Sequence, residues 1–240
     1  MMDLQGERVV VLGGTSGIGL ATAVAAAEHG AEVTVVSSNR VKVEHALRTL
    51  PPGSRGHAVD LTDTAQVRAL FDSVGAIDHL VFTAGELLTL MPLDTLDLDM
   101  AKEFFALRYF GALGSVQMAA PHIRPGGSIT LTTGTAKDRP GPGWSVAASI
   151  CGAIDALTRA LAVELAPIRV NAVCPGVVRS PLWDSMTEVD REQLYKDTAA
   201  AVPLGRVGEV TDIAQAYLYY LTESFATGSV LTLDGGTVLA

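Results

Sequence analysis

The stretch Val9-Val10-Val11-Leu12-Gly13-Gly14-Thr15-Ser16-Gly17-Ile18-Gly19 decides the fold of this chain. Its apolar residues predict a buried strand, and the glycines that follow predict a tight turn that leads into a helix. Glycine lets the backbone approach a phosphate closely, and the N-terminus of a helix offers unpaired N–H groups and a partial positive charge. This order of strand, turn and helix therefore indicates a cradle for the pyrophosphate of a dinucleotide.

Apolar strands and alanine-rich helices alternate along the whole chain. The predicted strands are Arg8–Leu12, Val33–Val36, His57–Val59, His79–Phe82, Ser128–Thr132, Arg169–Val173 and Ser229–Leu233. The predicted helices are Gly17–His29, Val41–Leu50, Thr64–Ser73, Asp97–Ala120, Ser145–Leu165 and Val210–Leu221. Such alternation predicts an α/β fold, a single Rossmann-like doubly wound domain over 1–240 with a seven-stranded parallel sheet and helices on both faces.

One segment, at about 177–202, is too long for an ordinary connection in a compact domain. It contains Pro181, Trp183 and a short polar helix, and it is predicted to form a lid over a substrate site. Leu182, Trp183 and Met186 on this lid favour a substrate with an apolar body. Trp144 and Trp183 flank the expected cavity, where each either lines it or packs within the protein.

The composition excludes several classes of protein. The chain is 48% hydrophobic with a formal net charge of −9, which argues against a nucleic-acid or anionic-membrane surface. The first residues do not form a signal sequence, and no uncharged apolar run reaches the length of about 18 residues that a bilayer span needs, so a cytoplasmic location is predicted. Cys151 and Cys174 show no metal-ligand spacing, so two reduced thiols and no metal site are expected.

The second predicted strand ends in Val36-Ser37-Ser38-Asn39-Arg40, without the acidic residue that would bind a ribose 2′-hydroxyl. A carboxylate there would repel a 2′-phosphate, whereas serine hydroxyls and the Arg40 guanidinium would hold one. The pattern favours NADP over NAD as the cofactor. The alternative is that 37–40 is only a polar turn in which Arg40 caps the next helix.

Further motifs follow the glycine-rich turn in a fixed order. They are Asp60-Leu61-Thr62, Leu80-Val81-Phe82-Thr83-Ala84-Gly85, the segment Arg169–Ser180 with its Pro175-Gly176, Pro203-Leu204-Gly205-Arg206 and Asp234-Gly235-Gly236. Together with 13–19, which resembles Thr-Gly-x-x-x-Gly-Ile-Gly, they resemble the short-chain dehydrogenase/reductase family over residues 7 to 236. The resemblance implies a dinucleotide cofactor, with adenine at Asp60 and nicotinamide at the Pro-Gly segment.

The residues expected to bind the cofactor come from the glycine-rich turn, the end of the second strand and the motifs of the resemblance. They are Gly13, Thr15, Ser16, Gly17, Ile18, Gly19, Ser37, Ser38, Asn39, Arg40, Asp60, Leu61, Ala84, Gly85, Pro175, Gly176, Val178 and Ser180.

The catalytic positions depart from the family pattern. In the family a Tyr exchanges the proton, a Lys four residues later lowers its pKa, a Ser orients the substrate and an Asn supports a water relay. In this chain Ala147 occupies the position of the family's Tyr and Cys151 the position of its Lys. No Tyr occurs between Phe110 and Leu194. The Ser position falls at Gly134 or, with a one-residue shift, at Thr133, and Arg108 occupies the Asn position.

Two interpretations of these departures stay open. In one, the pocket is rebuilt: Arg108 reaches into the space left by the Lys, Thr133 binds a substrate oxygen, and water supplies the proton. In the other, the site is vacant, Arg108 pairs with a carboxylate such as Glu103 or Glu164, and Thr133 bonds to backbone. Thr133 and Arg108 are therefore the catalytic candidates.

Three functions are compatible with the sequence. The first is an NADP(H)-dependent oxidoreductase that acts on a small, apolar carbonyl/alcohol or enone substrate through a non-standard site. The second is a catalytically inactive NADP(H) sensor or regulatory protein, and the third is a lyase or isomerase that reuses the cleft. The helices Asp97–Ala120 and Ser145–Leu165 are apolar on more than one face, which predicts a homodimer or homotetramer.

Overall fold

The structure is a computed structural model that describes residues 3–240. Seven parallel strands form one sheet, in the order β3-β2-β1-β4-β5-β6-β9. They are β1 (Arg8–Leu12), β2 (Glu32–Ser37), β3 (Arg55–Ala58), β4 (Ile77–Phe82), β5 (Ile123–Thr132), β6 (Arg169–Pro175) and β9 (Val230–Leu233). The doubly wound sheet predicted from the sequence is confirmed.

The described range contains eight α-helices. They are α1 (Gly17–Glu28), α2 (Arg40–Thr49), α3 (Thr64–Val74), α4 (Leu98–Phe105), α5 (Ala112–Ala119), α6 (Ser145–Glu164), α7 (Glu188–Ala201) and α8 (Val210–Thr222). Helices α1, α2 and α8 pack on one face of the sheet, and α3 to α6 pack on the other. The central strands are buried on both faces, which is why they read as continuous apolar runs.

Strand order reverses between β1 and β4, whose registers align Val11 with Val81 and Leu12 with Phe82. In doubly wound sheets a crevice opens at this switch point, outside the carboxyl ends of the strands. The glycine-rich turn after β1 and Thr83-Ala84-Gly85 after β4 both lie at this crevice.

The helix predicted over 97–120 is interrupted. Helix α4 passes into a π-helical turn at Ala106–Gly111 before α5 begins. A π-turn inserts an extra residue into the helical repeat, so it changes the direction of the side chains that it carries. Arg108 is one of these residues.

The segment at 177–202 contains a short 3₁₀ turn, Pro181–Trp183, and helix α7. It is preceded by β7 (Val178–Arg179), which pairs with β8 (Gly208–Glu209) in a two-stranded sheet that the sequence did not predict. The indole nitrogen of Trp183 donates to the carbonyl of Val178 at 2.9 Å, which packs the turn onto this small sheet.

Helix α6 is long and apolar enough, by length and composition, to span a membrane. It packs against β5 and β6 with residues such as Ile154 and Leu161, and it carries Asp155 and Arg159. These contacts describe a core helix of the α/β layer.

Candidate functional site

A cavity of about 560 Å³ lies along the carboxyl ends of the strands. The predicted cofactor residues that line it are Gly13, Thr15, Ser16, Gly17, Ile18, Gly19, Ser37, Ser38, Asn39, Asp60, Leu61, Ala84, Gly85, Pro175, Gly176, Val178 and Ser180. The structure thus brings together every one of these predicted residues except Arg40.

The glycine-rich turn leaves no space for side chains. Gly13 has φ 85°, a left-handed conformation, and a Cβ built on it would lie 2.5 Å from the backbone nitrogen of Ala84. Helix α1 then starts after Ser16, with no side-chain cap and no acidic residue in its first turn. The N–H groups and partial charge at this helix end remain available to an anion.

Arg40 does not line the cavity. It begins α2, and its guanidinium pairs with Glu44 one helical turn later, with the Nε–Oε1 distance at 3.2 Å. The alternative that Arg40 caps the helix is also wrong, because the N-cap of α2 is Asn39, whose side chain accepts from the backbone N–H of Lys42 at 3.1 Å. Lys42, which the sequence did not single out, reaches the cavity wall beside Ser37 and Ser38.

Arg108 points into the cavity. Its Nε donates to the Glu86 carboxylate at 3.1 Å, a second guanidinium nitrogen donates to the backbone carbonyl of Glu86, and the group stacks over the Phe104 ring at 5.2 Å. The expected partners Glu103 and Glu164 are both incorrect, because the π-turn directs Arg108 towards the loop after β4 and not along the helix surface. Burial lowers the pKa of Arg108, and the Glu86 carboxylate opposes that effect.

Thr133 and Cys151 lie together at the opposite wall. The Thr133 hydroxyl donates to the backbone carbonyl of Cys151 at 2.9 Å. Burial raises the pKa of the Cys151 thiol to about 11, with the nearby Cys174 adding to it. Ala147, one helical turn before Cys151, presents only a methyl group to the same cavity. Thr133, Cys151 and Ala147 therefore offer no proton donor suited to neutral pH.

The outer part of the cavity is apolar. Its walls include Phe104, Leu107, Trp144, Ile150, Leu182 and Trp183. The backbone N–H of Leu88 donates to the carbonyl of Leu182 at 3.0 Å, and the Ser185 hydroxyl donates to the carbonyl of Leu88 at 2.8 Å. These bonds join the segment at 177–202 to the loop after β4 across the mouth of the cavity.

Sequence reasoning missed Lys42 and Glu86 as site residues. Glu86 directly follows the Ala84-Gly85 motif, so its place in the chain was an available signal. Lys42 lies in the first turn of α2, two residues after Arg40. The two side chains point in different directions around the helix, which the sequence alone did not reveal. No cluster of metal ligands occurs among residues 3–240.

Three comparisons relate this chain to known proteins. A family model described as an SDR-like Rossmann domain matches residues 2–240. The short-chain dehydrogenase/reductase fsr5 of Gibberella fujikuroi is 34% identical over 255 residues, which cover 99% of this chain and 96% of that protein.

Two solved structures extend the similarity to the fold. The structure of MalC Reductase/Diels-Alderase from Malbranchea aurantiaca superposes with a TM-score of 0.92 at 30% identity, covering 99% of this chain and 98% of that one. A small-chain dehydrogenase in complex with NADPH gives a TM-score of 0.84 at 34% identity, covering 98% of this chain and all of that one.

Proposed function

The chain belongs to the short-chain dehydrogenase/reductase family. From that premise we propose that it transfers hydride between NADP(H) and a small, apolar carbonyl/alcohol or enone substrate, and that it does so with a non-standard active site. The observation that carries the proposal is the continuity of the cavity, which runs from the glycine-rich turn to an apolar chamber. A dinucleotide in the cradle would present its far end to that chamber.

The residues present fit this cofactor. Gly13 leaves space that a Cβ would fill, and the N–H groups that begin α1 suit a pyrophosphate. As the family resemblance implies, Asp60 would meet the adenine and the segment with Pro175, Gly176 and Val178 would face the nicotinamide. Ala84 and Gly85 line the same cavity. When bound, the reduced cofactor supplies the hydride and its electron pair.

Lys42 gives the preference for the 2′-phosphate in this proposal. It lies at the cavity wall with Ser37 and Ser38, and no carboxylate of residues 3–240 lies within 4 Å of its ammonium. A serine hydroxyl and a free ammonium are suitable partners for a phosphate. The structural relative that carries NADPH supports the same choice of cofactor.

A catalytically inactive NADP(H) sensor is the alternative, and Ala147 is the observation that favours it. A methyl group at that position can neither donate nor accept a proton, and burial keeps the neighbouring Cys151 thiol protonated. The two functions share the cofactor and differ only in turnover.

The deciding experiment titrates the purified protein with NADPH and NADH by nucleotide fluorescence, then mixes the NADPH complex with ketones, enones and quinones. The proposal expects tighter binding of NADPH and oxidation of the bound nucleotide by an acceptor. Binding without oxidation by any acceptor would favour the sensor. Failure to bind either nucleotide would contradict both and favour a lyase or isomerase that reuses the cleft.

We also propose a homo-oligomer, dimer or tetramer, that acts in the cytoplasm. Phe110 in the π-turn is 61% exposed and Val163 near the end of α6 is 82% exposed, and Leu98 and Met100 on α4 are exposed as well. Exposed apolar side chains on these helices suit a second copy of the chain. Sedimentation as a monomer at micromolar concentration would contradict this assembly.

A further inference from the structure

Arg108 is held rigidly in the cavity with part of its hydrogen-bonding capacity unused. The Glu86 carboxylate and carbonyl fix two of its nitrogens, and Phe104 covers one face of the group. No acceptor among residues 3–240 meets its third nitrogen, Nη1. A guanidinium has five N–H donors, so this arrangement leaves donors for another molecule.

The unused donors lie near the positions where the family carries its catalytic residues, because Arg108 and Cys151 line the same cavity and the positive charge of Arg108 opposes the rise in the pKa of the Cys151 thiol. A Cβ built on Gly85 would lie 2.7 Å from Nη1 of Arg108, so the guanidinium is in direct contact with the backbone at Gly85. Only 23% of the Arg108 side chain is exposed. A donor in such a partly dry site is stronger than one in water.

No other cation competes for this role in the described part of the chain near Cys151. Lys137 is the nearest, but its ammonium lies 3.5 Å from the Asp155 carboxylate and also pairs with Asp138, and it does not line the cavity. The Thr133 hydroxyl is directed to the Cys151 carbonyl. Arg108 is thus the cationic donor available to a substrate oxygen.

We infer that Glu86 and Arg108 form an oxyanion site, and that the substrate is a conjugated carbonyl such as an enone, whose reduction gives an enolate. This inference rests on the proposed hydride transfer. A guanidinium stays protonated, so Arg108 stabilises negative charge and does not supply a proton. Glu86 is a positioning residue, because it acts through Arg108.

The chemistry balances without an acid from the protein. The β-carbon of the enone takes a hydride and its electron pair from the reduced nicotinamide, and the electrons of the carbon–carbon double bond move towards the carbonyl oxygen. The enolate oxygen accepts a hydrogen bond from Arg108. Water then delivers a proton to the α-carbon, and the products are the saturated carbonyl, hydroxide and oxidised cofactor.

A saturated ketone fits this site poorly. Its reduction places full negative charge on an alkoxide, a much stronger base than an enolate, and therefore needs a proton during the transfer. The site lacks the tyrosine that supplies this proton in the family, because Ala147 stands there. The apolar walls at Phe104, Leu182 and Trp183 suit the carbon body of an enone.

A phenol serves as a stable mimic of the enolate, and its ionisation is read by absorbance without any cofactor. We expect 4-nitrophenol bound to the protein to ionise at a pH lower by about 1 to 2 than in buffer, because a fixed cation favours the phenolate. In Arg108→Gln this shift is expected to disappear. In Glu86→Gln it is expected to grow, since the guanidinium loses its opposing carboxylate.

Lys102→Gln is the matched control, because Lys102 lies on α4 outside the cavity and its removal changes the net charge equally. It is expected to leave the shift unchanged. Where Arg108→Gln fails to fold, Arg108→Lys serves in its place, because it keeps the positive charge but loses the planar set of guanidinium donors. A smaller shift in the ionisation of 4-nitrophenol is expected in that variant.

Binding of 4-nitrophenol with the same ionisation in all variants would overturn the oxyanion site, as would failure of the wild-type protein to bind it. Oxidation of bound NADPH by saturated ketones but not by enones would overturn the substrate class. Both results are separate from failure of the proposed function, which the nucleotide titration reports by itself.

Discussion

The hydroxyl of Thr133 donates to the backbone carbonyl of Cys151, at 2.9 Å. This bond joins the loop after β5 to the middle of α6, across the position where the family carries its catalytic residues. It also directs the hydroxyl proton towards the protein backbone. Burial raises the pKa of the Cys151 thiol to about 11, well above the neutral range in which a general acid is most effective.

Lys42→Ala is expected to weaken NADPH binding by about 1.5 to 3 kcal/mol, the contribution of one charged hydrogen bond, and to leave NADH binding unchanged. Arg40→Ala is the control, since its guanidinium pairs with Glu44 on the exposed surface of α2. We expect it to change NADPH affinity by less than about 0.5 kcal/mol. An equal loss in both variants, measured by fluorescence titration, would restore Arg40 to the site.

Gly13→Ala is expected to abolish nucleotide binding and to lower stability by more than the backbone strain alone. Its Cβ would lie 2.5 Å from the Ala84 backbone nitrogen, so the turn and the loop after β4 must separate. Gly53→Ala isolates the strain, because Gly53 also has a positive φ but open space around it. We expect that control to cost about 1 to 2 kcal/mol in urea denaturation and to bind NADPH normally. Equal losses of unfolding free energy in the two variants would contradict the prediction, because they would show that the backbone near Ala84 moves away from the new Cβ at little cost.

His79 gives stability a defined dependence on pH. Its ring is 3% exposed and bonds to Ser128 and Glu7, at 2.8 and 2.7 Å. Burial lowers the pKa of His79 below 6.5, against the opposing effects of Glu7 and Asp78, while Arg169 adds to the lowering. The unfolded chain therefore binds the proton more readily, so this contribution is present above about pH 6.5 and is lost as the pH falls through the folded value.

His79→Gln keeps hydrogen-bonding groups at that position but does not titrate. Denaturation between about pH 8 and about pH 5 is expected to show a smaller loss of stability in this variant than in the wild type. Parallel pH profiles for the two proteins would refute the role of His79.

Ala147→Tyr with Cys151→Lys restores the family's acid and the cation that lowers its pKa, on one face of α6. Reduction of a saturated ketone is expected to appear or rise in this variant. The gain is expected to be larger with Arg108→Asn added, because two cations in one cavity resist burial together. If the triple variant folds and binds NADPH but reduces no ketone, the missing acid is not the only departure from the family. The reductase proposal would then lose its main support.

The sequence predicted the seven-stranded parallel sheet and most of the residues that line the cavity, because the strands and the glycine-rich turn have local patterns. Strand β1 and the turn at 13–19 form one continuous signal, whereas the motif at 80–85 was identified by its resemblance to the family. Strand β5 extends back to Ile123 through a Pro-Gly-Gly stretch that reads as a turn, so its start was placed too late.

Side-chain directions were the part that the sequence did not predict. Arg40 and Lys42 are both basic residues in the first turn of α2 and differ in direction. Residues two positions apart on a helix point about 200° away from each other. The Glu86–Arg108 pair joins residues on separate elements, and the π-turn that directs Arg108 has no pattern of its own. Such contacts are tertiary, so composition and periodicity carry no record of them.

The most direct test of a reductase without an acid of its own is a single-turnover measurement of NADPH oxidation by an enone, from about pH 6 to about pH 9. We expect oxidation whose rate is constant over this range, because burial raises the pKa of the Cys151 thiol to about 11, outside the range, and Arg108 stays protonated. Bound NADPH that no enone oxidises, or a rate that falls through an ionisation between those limits, would contradict it.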